Sequence, residues 1–160
     1  MYTLKNLIIC VFLTQFAVGC SASLPEQCKQ LKAINQEAYT EKKDPVPSRQ
    51  FEISSEQLSK KSKDIEKLSI SDKDLKGIQQ RFATNYDSLA KRSLTQSANA
   101  KQFEIIESEP ESSEFSKKMD KSTRLLGVMD QETKQGGKLI ELLKEYSAIV
   151  SDMEKICSSK

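Results

Sequence analysis

Histidine and tryptophan are both missing from this 160-residue chain, which also holds only five glycines and four prolines. Without histidine there is no Ser-His or Cys-His nucleophile pair and no imidazole ligand for zinc or haem, which argues against most hydrolases. No phosphate-cradling glycine loop is present, and no segment alternates as a strand would. The Asn-x-Ser/Thr acceptor pattern is missing as well. An excess of one charge is also lacking: 25 basic side chains stand against 23 acidic ones, for a net charge of +2. Lysines and glutamates are interspersed as on solvated helix faces, so the composition does not describe a nucleic-acid binder.

Long apolar runs are equally scarce. Residues 7–18, behind Lys5, form the one such run, broken only by Thr14 and Gln15. A bilayer span needs about 20 apolar residues, so this segment reads as the core of a cleaved export signal. Two cleavage outcomes are open. Ala17-Val18-Gly19-Cys20 resembles a bacterial lipobox, with Ala17 where that pattern usually has Leu. The resemblance implies removal of residues 1–19, a diacylglyceryl group on Cys20 and usually a third, amide-linked chain. Each buried CH₂ contributes about 0.8 kcal/mol, so two or more chains anchor firmly where one does not. The protein would then sit in a cell envelope, on the periplasmic face in a Gram-negative cell. The other outcome is ordinary cleavage after Ala22, which gives a secreted protein.

Position separates the four cysteines. Cys10 lies in the discarded segment, and Cys20 is lipidated or lost. Cys28 and Cys157 remain, and in an oxidising compartment they are expected to bond to each other. Two unpaired thiols buried in helix cores are the alternative.

Residues 20–160 read as a single all-α domain with helices at about 23–43, 50–68, 71–103 and 113–157. Ser23 and Glu26 form a capping box around Pro25, and Leu24, Cys28, Leu31, Ile34 and Ala38 share one face. Pro45 and Pro47 close that helix. Phe51, Leu58, Ile65 and Leu68 give the second helix a thin stripe between serines, with Lys60, Lys61, Lys63 and Lys67 on a solvated face. Asp72 and Asp74 suit the start of the third helix, which Leu75, Ile78, Phe82, Tyr86 and Leu89 carry forward. The acidic segment 104–114, broken by Pro110, reads as a solvated connection.

The last helix holds a three-four rhythm through Phe115, Met119, Leu126, Met129, Thr133, Ile140, Leu143, Val150, Met153 and Cys157, read as a seam packed against other helices. That rhythm survives Gly136-Gly137, which favours one continuous or kinked helix. An even number of long helices brings Cys28 and Cys157 to the same end, so the expected fold is an up-down-up-down four-helix bundle. Its long third and fourth helices should overhang as a hairpin over about 92–129.

Little here carries chemistry. Ser88-Leu89-Ala90-Lys91 matches the S-x-x-K nucleophile motif, a match that chance supplies in a chain rich in Ser and Lys. Tyr39, Tyr86 and Tyr146 suit amphipathic core edges. The glutamates lack the spacing of a calcium loop. No catalytic, metal or cofactor site is expected. The lipobox-like end, Glu26-Gln27-Cys28, Leu68-Ser69-Ile70-Ser71-Asp72 with Leu75, and Cys157 together resemble small cyanobacterial lipoproteins of unassigned role. The expectation is a non-catalytic envelope lipoprotein: a membrane-tethered helical bundle that contacts a protein partner. Accessory membership of a membrane complex, or carriage of a lipid or small apolar ligand, is the alternative.

Overall fold

The computed structural model describes residues 22–37 and 44–159; the signal segment, Cys20, Ala38 and Tyr39 lie outside them. Four helices make up the described residues, and no strand occurs among them: α1 Leu24–Gln36, α2 Pro47–Glu66, α3 Lys73–Ser108 and α4 Phe115–Ser158. The first helix was expected to reach 43 but ends at Gln36, with 38–43 outside the described residues. α2 begins at Pro47 because a proline fits the first helical position, where its missing N–H is not needed. α3 runs five residues past the expected 103, into the acidic segment. Glutamates favour a helix when they face water, and the stop comes at Pro110, two residues beyond Ser108.

The core gathers at the end where Cys28 and Cys157 are joined, with S–S 2.05 Å. Leu31, Ile65, Leu75, Phe82 and Ile149 are fully enclosed there, one or more from every helix. Phe82 and Tyr86 stack, and Tyr146 meets both edge-on, with centroids 5.8–6.4 Å apart. Tyr86 and Tyr146 therefore serve packing between α3 and α4.

Buried polar side chains fasten the helix ends and the 67–72 connection. The expected capping box at Ser23 is not formed: Ser23 makes no side-chain cap. Gln27, one position past Glu26, is buried instead. Its amide donates to the Ala22 carbonyl and, at 2.9 Å, to Ser71 Oγ, while its Oε1 accepts from the Ser71 and Asp72 N–H groups. Gln79 Nε2 donates to the Ile65 and Leu68 carbonyls at 2.6 and 2.9 Å and so ends α2. Asp72 caps α3 through the Asp74 and Leu75 N–H groups, as expected of that residue type.

Lys61 departs from the solvated face read for it. It is buried, and its ammonium donates to the Glu37 and Asn35 carbonyls at 2.8 and 3.3 Å, closing the end of α1. Burial pulls its pKa below the ordinary lysine range, against an upward pull from Glu37.

The α2–α3 interface explains the thin stripe. Ser48, Ser55 and Ser62 recur every seven residues on α2, and all three are buried. Ala83, Ala90 and Ser97 do the same on α3. Ser62 Oγ donates to the Ala83 carbonyl at 2.8 Å, and Ser93 Oγ donates to the Phe51 carbonyl at 2.9 Å. Farther along, Ser48 donates from N and Oγ to the Glu104 carboxylate at 3.0 and 2.9 Å. This register is antiparallel and sets Ser55 opposite Ala90. The small residues recurring along both helices let the two backbones approach closely, so fewer large apolar side chains are needed beside them. α2 thus accompanies α3 as far as Glu104, and the α3–α4 overhang is shorter than the expected 92–129.

Arg81 ties α3 to α4 by donating to Asp152 at 2.9 Å and to Glu145 at 2.9 and 3.1 Å. The hairpin tip is closed by Arg124, which grips Glu109 with both terminal nitrogens, and by Lys121 on the Glu107 and Glu109 carbonyls. The Arg81 hydrogen bond, and then that of Lys155, hold Asp152 below the usual carboxylate range; Arg124 does the same for Glu109.

Two outcomes follow from these ties. A Cys28→Ser, Cys157→Ser chain should lose about 4–5 kcal/mol of stability in the chain-entropy account, read as a lower urea midpoint with little change in helical circular dichroism. A carboxylate depressed on folding stabilises above its unfolded pKa, and that stability is lost as pH falls through the folded value. The urea midpoint should therefore hold near neutrality and decline below about pH 4. Arg81→Gln should shallow that decline.

Candidate interaction surface

α4 carries two apolar rows. Val128, Leu142, Tyr146, Ile149, Met153 and Ile156 form the inner row, which is buried or half-buried. Apart from Met153, which the sequence reading placed in the packed seam and which is buried in the inner row, that seam is the other row, displaced by about 100° around the helix. Phe115, Met119, Leu126, Met129, Ile140 and Leu143 on it are 53–78% exposed. Packing therefore corrects the sequence reading: over most of α4 the seam faces outward.

Among the described residues, only its last part is covered. Val150 packs against the core, and Cys157 is bonded to Cys28 of α1. α1 meets both α2 and α4, filling the space between them at the disulfide end. It is 13 residues long against 44 for α4, so the cover ends there. Beyond it the same space opens as a groove of about 450 Å³, lined by Pro47, Phe51, Ala100, Phe103, Val128 and Met129. Asn99 Nδ2 donates to Glu132 Oε1 at 2.7 Å in its wall, leaving the apolar atoms as the open part.

Gly136-Gly137 neither breaks α4 nor receives a neighbour. The helix runs unbroken through the pair, and a Cβ added at either position would meet nothing within 4 Å. Each glycine nonetheless costs a helix about 1 kcal/mol against alanine. No contact among the described residues accounts for that cost.

The two halves of the S-x-x-K match resolve into structural roles. Cys20 lies outside the described residues. Ser88 donates to the Thr84 carbonyl at 2.9 Å and Lys91 pairs with Asp87 at 2.7 Å, so each half of the S-x-x-K match serves its own helix. No group of three or more potential metal ligands occurs among the described residues. No described helix is long and apolar enough to cross a membrane. The surface was missed in the sequence because both rows of α4 keep the same period. No protein-family model matches the chain, and neither the curated proteins nor the solved structures yield a match.

Proposed function

We propose that this chain is a non-catalytic, membrane-tethered helical module of a cell envelope, held by lipid on Cys20 and acting through contact with a protein. Its four helices alternate up and down, and the module resembles small bacterial lipoproteins of the cyanobacterial type. The observation that carries this reading is the separation of the molecule's two ends. Ala22, two residues past Cys20, lies beside Gln27 at the end closed by Cys28–Cys157. The exposed apolar row and the groove lie along the other end of α4. An anchor at Cys20 would therefore hold the disulfide end at the membrane and leave the apolar surface and the acidic tip pointing away from it. Large exposed apolar patches of this kind mark contact surfaces.

Carriage of a small apolar ligand is the second reading, and the groove beside Phe51 and Phe103 favours it. The exposed row extends well past that groove in both directions, so a protein contact uses more of the surface.

In the tether reading, Cys20→Ala moves the protein from the membrane to the soluble fraction and removes the mass of its acyl chains. Unchanged fractionation, or an unmodified Cys20 in the native protein, contradicts it.

A further inference from the structure

We infer that the occupant of the uncovered α4 row is a second copy of this chain, paired helix to helix over residues 115–143. The inference rests on the reading of the chain as a contact module and not on the lipid at Cys20.

The row has the spacing of a two-helix seam. Positions 115, 119, 122, 126, 129, 133, 136, 140 and 143 alternate steps of four and three, and none of them bears a charge. Phe115, Met119, Leu126, Met129, Ile140 and Leu143 supply the large knobs, and Ser122, Thr133 and Gly136 supply the small ones. A partner helix with the same row finds complementary knobs and holes without burying an unpaired charge, whichever way it runs.

The row also continues an interface that already exists. α1 lies on its last turns, through Val150 and Cys157, and a second helix would extend that cover toward the tip. The inner and outer rows lie about 100° apart, near the angle between adjacent neighbours in a four-helix bundle. Gly136 falls within the uncovered stretch, seven residues before its Leu143 end, with Gly137 beside it, where open space now stands over both. A close helix crossing there accounts for two residues that the single chain leaves unexplained.

Of this chain's own residues outside those described, 38–43 are too short to serve. The uncovered stretch is about 42 Å long at 1.5 Å per residue. Residues 38–43 reach only about 20 Å fully extended, and they must return to Asp44. A membrane surface fits poorly as well, because Asp130 and Glu132 border the row beside Lys118 and Lys144. Helices that lie on anionic lipid carry a basic polar face. The six large side chains expose on the order of 600 Å² per copy, at the lower limit of a specific interface. Burial of the adjoining groove wall at Met129 adds to that area.

The test uses the full chain in intact cells, with a photoreactive benzophenone amino acid in place of Met119. Irradiation should give a product of twice the chain's mass whose linked peptides both come from residues 115–143. The same probe at Lys76, exposed near the disulfide end, should give none. Adding Leu126→Glu and Ile140→Glu should lower the yield about tenfold or more while the Cys28–Cys157 link and helical content stay intact. Both substituted residues are exposed in the single chain, so loss of folding is not expected to confuse the result. Products confined to lipid, to a different protein or to residues 1–21 of the same chain, or no product at all, overturn the inference. Membrane fractionation of the same cells separates the two claims. A self-crosslink in soluble protein removes the anchor and leaves the pairing, and membrane-bound protein crosslinked only elsewhere does the reverse.

Discussion

A helix of 13 residues is too short to hold its shape alone in water, because its few hydrogen bonds scarcely offset the cost of nucleation. In this protein that helix is bonded through Cys28 to Cys157, near the last turn of a partner more than three times its length. The bond fixes where α1 lies, and α1 then encloses the one core that all four helices share. Leu31 and Ile149 are fully buried there, while Gln27, Lys61 and Gln79 spend their polar groups on helix ends and the 67–72 connection. Without α1 the apolar side of Ile65, Tyr146 and Met153 would face water.

The same difference in length governs the far half of the molecule. α2 and α3 stay together through small residues and hydrogen-bonded serines as far as Ser48 and Glu104, and past that point, among the described residues, the α3–α4 hairpin continues alone. Stabilisation there passes from apolar burial to exposed ion pairs such as Arg124 with Glu109, which are individually weak. A gradient of local stability from the disulfide end to the tip follows from this arrangement. The groove and the exposed row lie where burial is least complete, and contact with another chain would add most to stability there.

The helical class, Asp72 as a cap and a last helix continuous through Gly136-Gly137 were legible in the sequence, since each rests on local spacing or local chemistry. What was not legible shares one cause. A single chain's pattern shows which residues are apolar, and not which of them its own helices cover. On α4 the row from Phe115 to Leu143 is the more regular of two, yet Val128, Ile149 and Met153 of the other row are the buried ones. On α2 the buried face holds Ser48, Ser55 and Ser62, which polarity alone assigns to water; their seven-residue spacing was the usable signal. Lys61 was grouped with its lysine neighbours because nothing local shows that the end of α1 would need a donor. In the acidic segment, 104–108 stayed helical since charge without a breaker does not stop a helix, and Pro110 was the signal for its end.

In the pairing inferred above, α4 is covered by its own chain at one end and by another copy over the rest. Amide hydrogen exchange along α4, followed as protein concentration is raised about 100-fold, tests it most directly. Exchange in residues 126–143 should slow with concentration, while protection at Ile149 and Met153 stays constant. Exchange in 126–143 that is independent of concentration would contradict it.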